Sequence, residues 1–387
     1  MRQPTMRARI LAAMIALTAY AFVGYPVVLA IVSNFRRRPI QQGNVQPSLS
    51  IIIAAHNEEA IIARKLDSIL DQDYPKHLLD IIVASDGSTD ATSKIVSAYA
   101  GRGVRLLDLP RGGKASALNQ AAAAAENEIL LFTDANAIFA PGTLRALVRP
   151  FADPDVGGVS ANERRDPATL TSGAGLGERL YWEYDKWLKR AESEIGSMVS
   201  ASGSLYAIRR EHFRPITDPS ATDDFTISTQ VIRAGQRLVF EPDAVTWEPA
   251  VSRAEMEFNR RVRIVTRGLR SVYGIRELLL PWRGGFYSVQ LWSHKVVRRL
   301  IGFFVIGITL TNLTLVRRRY FRWLLLPQLV AYGLALAGWL GQGRRWSRKP
   351  WFYIPYYFCL SNAAAMLGVI QFLRQRRVSI WEPRRDP

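Results

Sequence analysis

One cysteine in 387 residues, Cys359, excludes an internal disulfide and a cysteine-built metal cluster. Within its apolar run it reads as a small buried thiol. Acidic side chains are scarce at both ends: residues 1–45 contain none and residues 283–387 contain two. Internal repeats and low-complexity linkers are lacking as well, and a hydrophobic content of 48% excludes a disordered chain. The formal net charge of +18 taken alone suggests a nucleic-acid partner. Its distribution excludes one. Residues 46–282 carry 28 Lys plus Arg against 31 Asp plus Glu, a net of −3, so the flanks hold +6 and +15. Flanks that are both basic and strongly apolar describe membrane segments with charged borders. The 237 residues between them suffice for one large α/β domain.

Stretches without charge mark the membrane segments. Ile10 to Phe35 gives 26 uncharged residues, enough to span a bilayer, with Pro26 as an expected kink. A cleaved signal peptide is the alternative, but the apolar stretch is too long for one and Arg36, Arg37 and Arg38 form a stop-transfer border. Three further stretches lie beyond the central domain: Leu300 to Val316 (17 residues), Trp323 to Gly343 (21) and Pro350 to Leu373 (24). The first is short enough to lie in the interface instead, and Trp292, Lys295, Arg298 and Arg299 before it mix aromatic and basic residues as an interfacial helix does. The expected organisation is a membrane helix with a basic border over 1–45, a central α/β domain over 46–282, and an interfacial helix, two or three membrane helices and a basic tail over 283–387.

The central domain alternates short β-rich runs (Leu49 to Ala55, Asp80 to Ser85, Val104 to Leu109, Glu128 to Thr133) with helical stretches (Glu59 to Leu70, Ala91 to Ala100, Lys114 to Ala125). Such alternation predicts a mostly parallel α/β sheet covered on both faces, with ligands beyond the carboxyl ends of the strands. Polar residues cluster at those ends: His56-Asn57-Glu58-Glu59, Ser85-Asp86-Gly87-Ser88-Thr89-Asp90 and Thr133-Asp134-Ala135-Asn136. Singly, each is also what turn and helix-cap chemistry uses. Their convergence on one sheet edge, together with Arg111-Gly-Gly-Lys114 at a helix start, points to a ligand, because free amides and an ammonium there meet a phosphate. Gly173-Ala-Gly175-Leu-Gly177 is preceded by no strand and reads as a flexible loop.

On these motifs the sequence resembles the membrane-integrated family 2 glycosyltransferases, relatives of cellulose, hyaluronan and poly-N-acetylglucosamine synthases, from about Ser48 to Arg270 and into the helices beyond. The resemblance implies a GT-A (Rossmann-like) catalytic domain flanked by transmembrane helices, a cytosolic nucleotide-sugar donor, a divalent cation (Mg²⁺ or Mn²⁺) and inverting transfer. It implies that Asp86 reads the donor's nucleoside, taken as uracil, enclosed by His56, Asn57 and Glu58, with Lys114 at the diphosphate. Asp134 and Asn136 take the Asp-X-Asp metal positions, the amide bringing no charge and so weaker binding of a hard cation. Thr222-Asp223-Asp224 matches Thr-Glu-Asp, making Asp224 the general base, although an Asp pair is also an ordinary helix start. Ser202, Gly203 and Ser204 match the acceptor segment. Where relatives carry Gln-X-X-Arg-Trp, this chain reads Arg260-Arg261-Val262-Arg263-Ile264: Arg263 keeps the diphosphate arginine, and Ile264 lacks the flat face on which a sugar stacks.

Three activities fit. The chain extends a polysaccharide of exopolysaccharide or capsule type, adds one or a few sugars to a lipid acceptor, or keeps the fold as a silent binding module. The expected partners are a nucleotide-sugar donor, a carbohydrate or lipid acceptor, membrane lipids and export or accessory subunits, with no nucleic acid. The expected location is the inner (plasma) membrane, multi-pass, catalytic domain cytoplasmic and N-terminus outside.

Overall fold

The computed structural model describes residues 5–166, 175–249 and 254–375. They fall into two compact units, one of residues 32–166 and 185–249, the other of residues 5–31, 175–184 and 254–375.

The first unit is built on a single eight-stranded sheet. Its strands are β1 (Leu49–Ala55), β2 (Leu79–Asp86), β3 (Val104–Leu109), β4 (Ile129–Asp134), β5 (Ile138–Phe139), β6 (Val156–Arg165), β7 (Leu205–Arg209) and β8 (Arg237–Glu248), in the order β3-β2-β1-β4-β7-β6-β8-β5. The expectation of a mostly parallel sheet holds for one half only. β3, β2, β1 and β4 run parallel, but β7 is antiparallel to both β4 and β6, and β5 is antiparallel to β8, so the sheet is mixed. β6 and β8 are parallel, with pairing that jumps from Ser160↔Phe240 to Asn162↔Val245. Pro242 lies inside that jump and has no N–H to give to a ladder.

Strand alternation sorts the core. Ile51, Ile53 and Leu131 pack with Ile62, Leu66 and Ile69 on one face, while Ile52, Ala54, Phe132 and Tyr206 pack with Ala117 and Ala121 on the other. Full burial of β1 on both faces is what an internal parallel strand requires. Register then aligns the polar ends: Ala55 pairs with Ser85 and Ala54 with Asp134, so the segments after β1, β2 and β4 leave the sheet together. Because β7 is antiparallel, its first residue, Leu205, pairs with Thr133 and brings Ser202 to Ser204 to the same edge.

The second unit is helical. Among the described residues, four helices are long and apolar enough to cross a membrane: Met6–Phe35, Phe286–Thr314, Arg319–Leu340 and Pro350–Leu373. The stretch from Leu300 that the sequence left between interface and span is therefore the second half of a 29-residue helix. Large apolar side chains, among them Ile31, Leu310, Val330, Leu336 and Trp351, are exposed along all four, as lipid-facing surfaces are. Just before Pro26 the first helix contains a π-helical turn, Tyr20–Gly24, closed by the Tyr25 N–H donating to the Tyr20 carbonyl. Proline leaves the Phe22 carbonyl without its usual donor, and the Tyr184 hydroxyl donates to that oxygen at 3.3 Å. Gly175 and Gly177 open the helix Gly175–Ile195, correcting the loop expected there, while Gly173 lies outside the described residues.

Candidate active site

The turns after β1 and β2 hold each other. The His56 ring Nδ1 lies 2.8 Å from the Asp86 carbonyl oxygen. The Asn57 Oδ1 accepts from the Thr89 N–H (2.8 Å), and the Glu58 N–H donates to Thr92 Oγ1 (2.7 Å). The Glu59 N–H donates to Asp90 and the Glu59 carboxylate accepts from the Ala91 N–H. Asn57 adopts a positive φ of 52°, which asparagine tolerates better than most side chains. The cap chemistry read from the sequence is real, and it fixes the mouth of the sheet edge.

Asp86 is 1% exposed. Its carboxylate accepts from the Gly112 N–H (2.7 Å) and the Gly113 N–H (2.9 and 3.0 Å), and Arg111 Nη1 donates to it at 2.5 Å. A buried carboxylate must be satisfied in this way. Gly87 has φ +60°, and a Cβ there would lie 2.8 Å from the Arg111 backbone nitrogen, so only glycine lets the 111–113 loop approach.

That loop opens the helix Lys114–Ala123. Lys114 Nζ bridges Asp134 Oδ1 (2.7 Å) and Asp223 Oδ2 (2.8 Å) with its side chain only 14% exposed. Burial alone would lower its pKa, but the two facing carboxylates outweigh burial and hold the ammonium above the ordinary lysine range. Asp223 and Asp224 begin the helix Asp223–Arg233, where their charge suits the helix N-terminus. Asp224 Oδ1 accepts from the Phe225 N–H (2.7 Å). A Cβ built on Gly203 would sit 3.4 Å from Asp134 Oδ2 and 3.6 Å from Asp224 Oδ2, so these oxygens lie within about 7 Å of each other, the sum of the two distances. Ser202 Oγ donates to Glu163 at 2.6 Å, and the buried Ser204 accepts through its carbonyl from Thr133 Oγ1, also at 2.6 Å.

Two residues to which the sequence motifs give no role complete the edge. Tyr206 is buried beneath the acids, and burial, with Asp223, Asp224 and Asp134, pushes its hydroxyl well above the usual phenol range. Lys65 is 0% exposed on the opposite face of β4, where its Nζ donates to Thr133 Oγ1 (2.8 Å) and to the Ala137 carbonyl and lies over the Phe139 ring. Burial drives its pKa well below the ordinary lysine value, partly opposed by Asp134 and Glu248. A signal for it exists in the sequence: Lys65 fills a slot of the buried stripe Ile62, Leu66 and Ile69, at the i+3 position where a hydrophobe belongs. Arg263 is carried by the helical unit on the helix Ala254–Gly274, beside Ile264, which is 46% exposed.

Among the described residues no group of three or more His, Cys, Asp or Glu is placed to hold a metal. Asp134 and Asn136 both carry side-chain oxygens, the donor type that hard cations take. Mg²⁺ and Mn²⁺ are commonly bound by one or two protein oxygens and completed by substrate phosphates, and the Lys114 ammonium between Asp134 and Asp223 shows that this pocket accepts positive charge.

Residues 50–217 match the family described as Glycosyl transferase family 2. A β-monoglucosyldiacylglycerol synthase from Nostoc sp. is 30% identical over 180 residues, 44% of this chain and 37% of that protein. A poly-β-1,6-N-acetyl-D-glucosamine synthase from Staphylococcus epidermidis is 26% identical over 210 residues, 51% of this chain and 49% of that protein. This chain thus spans about half the length, or less, of these relatives. A mannosyltransferase from Pyrobaculum calidifontis, solved with GDP-mannose and Mn²⁺, shares the fold over 95% of this chain and 99% of its own, with TM-score 0.70 and 24% identity. The family match thus covers residues 50–217 of the sheet unit, and the likeness to the mannosyltransferase structure is one of fold.

Proposed function

We propose that the chain transfers a sugar, with inversion, from a nucleotide-sugar donor to an acceptor presented at the membrane. The observation that carries this reading is the gathering of Asp134, Lys114, Asp223, Asp224 and Gly203 at one edge of the sheet. Lys114 pairs with Asp223, and Asp224 Oδ2 lies near Gly203 in the segment matched to the acceptor site, which supports Asp224 as the general base in this reading. The acceptor O–H gives its proton to Asp224 as its oxygen bonds to the anomeric carbon. The bond from that carbon to the donor phosphate breaks on the opposite face, its electron pair leaving with the nucleoside diphosphate. Lys114 meets the phosphate charge, as an ammonium beside glycine amides at a helix start can. Asp134 and Asn136 would hold Mg²⁺ or Mn²⁺, whose Lewis acidity stabilises the departing diphosphate when bound. Asp86 braces the Arg111–Gly113 loop under the phosphates, and its reading of the donor base requires that it exchange one of those partners.

A lipid acceptor is the reading we favour. Ile264, exposed where a sugar-stacking aromatic is expected, offers no platform for a growing chain, and the 30%-identical relative is a glycolipid synthase. The polysaccharide reading draws on the longer match to a polymer synthase. Product size separates them. Membranes containing the protein, supplied with labelled UDP- and GDP-sugars and Mn²⁺, are expected to yield organic-extractable glycolipid; labelled high-molecular-weight polymer instead would replace the lipid acceptor with a polysaccharide. Because nucleotide sugars are made in the cytosol, the catalytic domain in this reading is cytoplasmic.

A further inference from the structure

Lys65 is a buried charged group of the sheet unit that the transfer chemistry does not use. It is 0% exposed, and no acidic side chain is within ion-pairing distance of its Nζ among the described residues. Burying an ammonium is costly, and a methionine or leucine would fill the same slot in the stripe of Ile62, Leu66 and Ile69 without that cost. The polar contacts of Nζ are therefore the informative feature. They fall on Thr133 Oγ1 and on the Ala137 carbonyl, the residues that bracket the Asp134-Ala135-Asn136 turn on either side. The Phe139 ring, whose centroid lies 3.8 Å from Nζ, adds a third constraint.

The contact continues beyond the turn. Having accepted from Lys65, the Thr133 hydroxyl donates its own hydrogen to the Ser204 carbonyl at 2.6 Å. Ser204 adjoins Gly203, the backbone position lying against Asp134 Oδ2 and Asp224 Oδ2. One side chain on the helix Ile62–Leu70 thus ties together the strand that carries Asp134, the turn that carries Asn136 and the segment that faces Asp224. Strand alternation explains how this is possible. Thr133 and Asp134 point to opposite faces of β4, so Lys114 grips the carboxylate from one side of the sheet while Lys65 grips its neighbour from the other.

We propose that Lys65 is a positioning residue, whose buried hydrogen bonds to Thr133 and Ala137 set the geometry of the Asp134–Asn136 turn for cation binding. The inference rests on the reading of Asp134 and Asn136 as cation ligands. Residues that orient ligands from behind typically change metal affinity by about 10–100-fold when removed.

The test is Mn²⁺ binding by the purified full-length chain in detergent, monitored through the electron paramagnetic resonance of free Mn²⁺ with UDP or GDP present. Wild type and Asp134→Ala first establish the cation reading; if wild type binds no Mn²⁺, or Asp134→Ala binds as wild type does, that reading falls and this inference with it. Given a site that depends on Asp134, Lys65→Met is expected to bind Mn²⁺ at least about tenfold more weakly. Thr133→Val is expected to weaken binding in the same way, Thr133→Ser to keep it, and Lys65→Met/Thr133→Val to be no worse than the more damaged single variant, because both break one chain of hydrogen bonds. Affinity within about twofold of wild type in Lys65→Met, or single effects that simply add, overturns the proposal while leaving Asp134 a ligand. Should Lys65→Met not fold, the Thr133→Val and Thr133→Ser pair decides alone, equal binding by the two overturning the proposal.

Discussion

At the scale of single residues, the site rests on two lysines whose surroundings pull their titration in opposite directions. Lys114 keeps its charge because Asp134 and Asp223 face it; Lys65 is disfavoured as a cation because burial outweighs the more distant Asp134 and Glu248. The second shift has a sign that can be checked. Between the lowered pKa of Lys65 in the folded chain and the value of about 10.4 in the unfolded chain, the unfolded state holds a proton that the folded state does not. Stability supplied by this group is therefore complete above about 10.4 and is lost as pH falls through the folded pKa. The melting temperature of wild type is expected to rise, relative to Lys65→Met, as pH increases toward about 10. Parallel profiles for the two proteins across that range would show that Lys65 titrates normally. The sequence displayed Lys114 in a recognisable motif, whereas Lys65 was hidden because a lysine within an amphipathic helix ordinarily reads as part of the solvated face. Its i+3 spacing from Ile62 was the available clue.

At the scale of elements, the first four strands and the helices between them were legible because each is a short apolar run closed by polar residues, a local pattern. The part of the sheet built after β4 was not. β7 is five residues long, and nothing in Leu205–Arg209 states that it enters the sheet antiparallel between β4 and β6. That pairing joins residues 72 to 80 apart in sequence, from Thr133↔Leu205 to Ile129↔Arg209, and it is what delivers Ser202 to Ser204 to the end of β4. Asp223 and Asp224 were readable as a motif, but the ion pair between Lys114 and Asp223 is created only by the fold. Among the membrane helices, charge-free stretches found the spans but not their contacts. Gly338 lets Arg319–Leu340 meet Pro350–Leu373 closely: a Cβ there would lie 2.7 Å from the Phe352 carbonyl and 3.0 Å from the Tyr356 Cβ. Gly338→Leu is expected to destabilise the protein by about 1–3 kcal/mol, seen as a lower melting temperature in detergent. Unchanged melting would mean that the helices separate at that point without cost.

At the scale of the whole molecule, the charge of +18 resolves into a sheet unit rich in carboxylates and apolar helices bordered by arginine. Basic borders hold such helices at an anionic headgroup layer. The carboxylates, in turn, are what a transfer reaction needs for a cation and a base. The account stands on Asp224 taking the acceptor proton, and the direct test compares wild type with Asp224→Asn for donor binding and for sugar transfer in the same membrane preparation. The account predicts that the variant binds the nucleotide sugar as wild type does while transfer falls by about 10²–10⁴-fold. Transfer at the wild-type rate by Asp224→Asn, or loss of donor binding in step with transfer, would contradict it.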